Sequence, residues 1–149
     1  DDEACAALGI LVNKIRKQLA NTLEGGFRVV ATSNAEVLQV ALSRARALVV
    51  MLSTTTMSSP DQLRVIALAM SMAQKESGPL VVPMYLPGFE LPGDSYFTRT
   101  LPLVWPGPCD DKVGPLIRAL FGIIAVQFHT GASDEMLGVL AGQVLARIP

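Results

Sequence analysis

Few side chains in this 149-residue chain combine the types and spacing that chemistry needs. His129 is the only histidine. A catalytic base needs a nucleophile beside it, and Thr130 and Ser133 are near in sequence. A strand end followed by a helix cap accounts for all three residues, so no catalytic His129 is expected. Cys5 and Cys109 give neither a disulfide framework nor a zinc spacing. They read as free thiols in a reducing compartment, which predicts a cytoplasmic protein. Asp110 and Asp111 could meet a cation, but acids are common at helix starts, and no metal site is predicted. No glycine-rich phosphate-cradling loop is present, and Gly25-Gly26 reads as a helix stop. Met51, Met57, Met70, Met72 and Met84 fall mostly on core faces.

The composition narrows the function class. Half of the chain is hydrophobic, 17% is charged and 5% is aromatic. That excludes a disordered chain, which combines low hydrophobicity with high charge. Lysine and arginine total 12 against 13 acids, for a net charge of −1. Nucleic-acid binding through a basic field needs a cationic excess, so no nucleic-acid partner is expected. The longest apolar stretches, residues 45–52 and 120–126, fall far short of the ~20 residues that span a bilayer. No membrane segment and no leader peptide are read. The length suits about one domain.

The elements that must position any site follow from periodicity. Leu8, Leu11, Val12, Ile15 and Leu19 form one helical stripe. Residues 27–31 read as a short strand. Ser33 and Glu36 form a capping box that opens a helix whose apolar positions are Val37, Leu38, Ala41, Leu42 and Ala45. Residues 47–52 are continuously apolar and valine-rich, which suits a parallel strand covered on both faces. After a polar loop, Ser59-Pro60-Asp61-Gln62 is a strong helix start, and the helix runs to about Lys75. It carries two apolar stripes, Leu63/Ile66/Ala67/Met70/Ala73 and Val65/Leu68/Met72, so it is expected either to be buried on most of its circumference or to have a partner.

Residues 80–86 form a third strand, and Pro83 inside it predicts a sheet edge or a break. Residues 87–100 read as loop, with Leu-Pro-Gly repeated as turn chemistry. Residues 101–105 read as a short strand, and Asp110-Asp111 as the head of a helix through Phe121. Residues 122–128 fit a fifth strand or a continued helix. Ser133, Asp134 and Glu135 open a last helix with Leu137, Leu140, Val144 and Ile148 as its stripe. Gly138 and Gly142 on one face would admit a close neighbour. Alternating strands and helices with short connections predict an α/β, flavodoxin-like, mainly parallel sheet with helices on both faces.

The run Val40-Ala41-Leu42-Ser43-Arg44-Ala45-Arg46-Ala47-Leu48-Val49-Val50-Met51-Leu52-Ser53 resembles Toll/interleukin-1 receptor (TIR) domains. There a helix ends in a serine-rich turn and leads into an apolar strand closed by serine. Ser58-Ser59 followed by a helix is similar to the family's next step. Leu80-Val81-Val82-Pro83-Met84 resembles its following strand, and residues 101–105 with the helix through Leu120 resemble its end. The likeness covers residues 2 to about 121 and implies one TIR-like domain over 1–121. NAD-cleaving members carry a glutamate near the position of Gln62 or Leu63. Here no glutamate stands between Glu36 and Glu76. The family's loop before its second helix is nearly absent, because Ala31 reaches the Ser33 cap within two residues.

The family's central first strand has no counterpart ahead of the opening helix. An unfilled gap there would strand two rows of backbone groups. Residues 122–128 followed by Asp134-Glu135 resemble the family's first strand and helix. Residues upstream of Asp1 would fill the gap if the chain is a fragment. Otherwise residues 122–149 are expected to complete the sheet by supplying its central strand or to open a second copy, with a helix hairpin as the alternative.

The resemblance and the missing glutamate together imply a non-catalytic protein–protein interaction module. It would associate with itself or with a TIR-type adaptor in signalling or assembly. Its candidate surface is Ser58, Arg64, Leu68 and Met72 with Gly138 and Gly142. The alternative is a TIR-type NAD glycohydrolase with NAD as substrate and a displaced acid, Asp61, beside Ser53 and Ser59. A structural subunit of a larger complex is the third reading.

Overall fold

The computed structural model describes residues 2–20 and 35–148. The expected strand at 27–31, the glycine stop and the Ser33 cap lie outside the described residues. Helix α1 spans Asp2–Ala20, with Asp2 and Glu3 in the first turn and Lys17 in the last, each sign matching the helix dipole. Its buried stripe is Ala7, Leu11, Ile15 and Leu19. Leu8 and Val12 are half-buried and flank that stripe.

Helix α2 spans Ala35–Leu42, strand β1 Ala47–Leu52 and helix α3 Pro60–Ala73. Strand β2 spans Leu80–Tyr85, helix α4 Leu101–Val104 and helix α5 Val113–Phe121. Strand β3 is Val126–Gln127 and helix α6 is Asp134–Leu145. The sheet is parallel in the order β1-β2-β3. Helices cover both faces. Val82 and Met84 of β2 pack with α1, α6 and Phe128 in one core. Val50 and Leu52 of β1 and Val81 of β2 pack with Leu63, Ile66 and Met70 of α3 and Ile117 and Leu120 of α5 in the other. Successive strand residues point to opposite faces, so the unbroken apolar runs are what a sheet buried on both sides demands. Each fully buried aliphatic side chain of this kind contributes about 1.5–3 kcal/mol.

Three expectations are corrected. Pro83 does not put its strand at an edge, because β2 is the middle strand. Leu80 and Leu86 donate to the carbonyls of Arg46 and Leu52 on the β1 side, while Tyr85 accepts from Phe128 on the β3 side. By alternation Pro83 faces the β3 side, where the ladder begins only at Met84. The missing N–H therefore removes no bond to β1.

Residues 101–105 are not a strand. They close a helical segment that passes through a wide π-turn at Tyr96–Thr100 into α4. Leu101 is buried at 1% exposure while Leu103 stands out at 86%, which is helical and not alternating burial. Pro102 sits in the first turn of α4, where its lost N–H is tolerated.

The third correction concerns α2. Val37 is 48% exposed and Val40 70%, while Leu42 is the buried anchor. Leu42 reaches Ala69 of α3 and is joined there by Val65, Leu68 and Met72. The second apolar stripe of α3 is thus occupied within the chain.

Residues 122–149 contribute β3 followed by α6, but β3 pairs with β2 at the end of the order and does not take the central place beside β1 expected for it. Among the described residues β1 pairs on one side only.

Candidate functional site

In a parallel α/β sheet, ligands bind at the carboxyl ends of the strands. Here that mouth is built from the residues after β1, β2 and β3. After β1 the chain turns sharply at Ser53. The Ser53 N–H donates to Thr56 Oγ1 at 2.8 Å, and the Thr56 N–H returns to the Ser53 carbonyl at 3.1 Å. Ser53 Oγ lies 3.2 Å from Thr55 Oγ1 and 3.4 Å from Thr56 Oγ1. Ser53 and Thr56 are almost fully buried. Their hydroxyls hold the turn together and are not presented to a ligand.

A single-turn 3₁₀ helix, Thr56–Ser58, then leads to α3. Ser59 Oγ accepts from the Gln62 N–H at 3.4 Å, and Pro60 takes the first helical position. This is the predicted helix start. Asp61 is exposed in the first turn. The alternative catalytic set therefore shares one end of the sheet in three different states. Ser53 is buried in a turn, Ser59 caps a helix, and Asp61 faces solvent.

After β2, Leu86-Pro87-Gly88-Phe89 makes a tight turn closed by the Phe89 N–H on the Leu86 carbonyl at 3.2 Å. Proline second and glycine third, with Gly88 at φ +79°, is type II turn chemistry. A Cβ on Gly88 would also lie 3.1 Å from Thr54 Cγ2, so the two mouth loops touch there. Phe89 lies between Tyr85, tilted against it with ring centroids 4.9 Å apart, and Phe121, stacked at 6.2 Å. Burial pushes the Tyr85 hydroxyl above its ordinary pKa.

After β3, His129 is exposed, and its carbonyl accepts from the Ala132 N–H at 3.1 Å. Ser133 Oγ caps α6 through the Met136 N–H at 3.3 Å. A shallow depression of about 510 Å³ lies here, lined by Pro87, His129, Thr130, Gly131, Ala132, Ser133, Met136 and Leu140. Among the described residues no group of three or more His, Cys, Asp and Glu side chains could hold a metal ion. Asp110 caps the start of α5, with Oδ1 accepting from the Lys112 and Val113 N–H groups at 2.9 and 3.2 Å.

The candidate interaction residues divide between opposite faces of the sheet. Ser58, Arg64, Leu68 and Met72 belong to the α3 side. Ser58 is exposed, and Arg64 Nη2 donates to the Pro106 carbonyl at 3.3 Å. Leu68 and Met72 are half-buried under α2. Gly138 and Gly142 belong to α6, on the α1 side. Gln18 Nε2 of α1 donates to the Gly138 carbonyl at 2.8 Å, so Gly138 already faces a neighbour. A Cβ on Gly142 would meet nothing within 4 Å.

A long excursion joins β2 to α5 and packs beside α3. Tyr96 Oη donates to the Met57 carbonyl at 2.7 Å, and burial raises its pKa. Arg118 of α5 lies 3.9 Å over the Phe97 ring and 2.8 Å from Asp94 Oδ1. None of these contacts has a local sequence signature.

The outward-facing valines Val37 and Val40 also have no signature in the sequence. Two valines three apart look the same in a buried and an exposed helix.

No protein-family model, curated protein or solved structure matches this chain. Among the described residues no helix is long and apolar enough to cross a membrane.

Proposed function

We propose that this chain is a non-catalytic, TIR-like assembly module of flavodoxin-like organisation that works by associating with its own kind. One observation carries the reading. β1 is an apolar, valine-rich strand that pairs on one side only among the described residues, and it has neither a charged nor a proline guard. An apolar strand side left unpaired is a template for a further strand. Helix α2, which runs into β1 through four residues, turns Val37 and Val40 outward. The near-zero net charge puts no long-range repulsion between copies. The consecutive parallel order β1-β2-β3, with α1 and α6 on one face and α3 and α5 on the other, supports the flavodoxin-like part of the reading. The strand-end hydroxyls, already engaged with one another, support the non-catalytic part.

Light scattering coupled to size-exclusion chromatography tests this directly. The expected result is a concentration-dependent oligomer that Val40→Glu weakens without changing the circular dichroism of the monomer. A strict monomer at high concentration counts against the proposal. Incubation with NAD supplies the opposing test. Nicotinamide release that Asp61→Ala abolishes would replace this reading with the glycohydrolase. An isolated chain that is partly unfolded until a different protein is supplied would favour the structural subunit.

A further inference from the structure

We draw no further inference here: the strongest candidate, the shallow depression between Pro87 and the His129–Ser133 loop at the carboxyl ends of β2 and β3, rests on the amino terminus of α6 and an exposed histidine, with no buried unpartnered polar group among the described residues to mark a ligand.

Discussion

Gly142→Ala separates the stability of the fold from the use of its glycine face. Gly142 lies inside α6, four residues before the Ala146 N–H that closes on its carbonyl at 2.8 Å. A Cβ built there meets no heavy atom within 4 Å, so the methyl group enters open space. Replacing a helix-interior glycine by alanine should then stabilise the monomer by about 0.8–1 kcal/mol. With an unfolding entropy of about 2.1 cal/mol/K per residue, that corresponds to a rise of roughly 3 °C in melting temperature. Urea unfolding should show a higher midpoint at unchanged m-value. Light scattering on the same sample reads assembly. If α6 docks a partner through this face, the added methyl groups hold the two backbones apart. Assembly then weakens while the monomer gains stability. Unchanged assembly would remove Gly142 from the interface. A destabilised monomer would refute the packing argument itself, since a neighbour would then occupy the space.

Gly78→Ala should have the opposite sign. Its Cβ would lie 2.0 Å from the Met72 carbonyl oxygen and 2.8 Å from Ala73 Cα, both backbone atoms. A loss of at least about 1–3 kcal/mol in chemical denaturation is expected, and a neutral variant would contradict the close approach of this loop to the end of α3. Arg118→Ala should cost more than Asp94→Asn. Arg118 is half exposed and Asp94 almost fully exposed, so the ion pair contributes at most about 1 kcal/mol, while the guanidinium over Phe97 adds about 0.5–1 kcal/mol. Equal costs for the two single variants in chemical denaturation would show that the ring contact contributes nothing.

Asp134 should titrate below its ordinary value of 3.8, because its hydrogen bond and charge interaction with Lys14 favour the carboxylate. A lowered folded pKa contributes stability above the unfolded value that is lost as pH falls through the folded one. The α1–α6 contact should therefore weaken only below about pH 3.8. Carboxyl NMR titration should show Lys14→Met returning Asp134 towards 3.8, and an unmoved pKa would refute the assignment.

Local signals made much of the framework readable. Ser59-Pro60 and Ser133 open helices as their side chains dictate, since a cap bonds only two or three residues ahead. The apolar run Ala47–Leu52 forms a parallel strand because no polar side chain interrupts either face. Residues 101–105 misled because a short apolar run suits a strand and a helix equally, and Leu101 and Leu103 separate only once packed. The candidate interaction residues looked like a single surface in the chain, and the sheet puts α3 and α6 on opposite sides.

The sequence by itself determined that the two valine-rich runs become parallel strands, where several of the helices begin, and that no basic field or zinc spacing is present. These are matters of neighbouring residues and of composition. The tertiary structure decided that Pro83 can stand in the middle strand, because its missing N–H faces the side the ladder has not yet reached. It decided that Leu68 and Met72 lie under α2 while Val37 and Val40 face outward. It also decided that the hydroxyls of Ser53 and Thr56 answer one another and that β1 pairs on one side among the described residues. Hydrogen-bond direction, face and edge depend on which strand or helix arrives alongside, and that is a contact between residues distant in the chain.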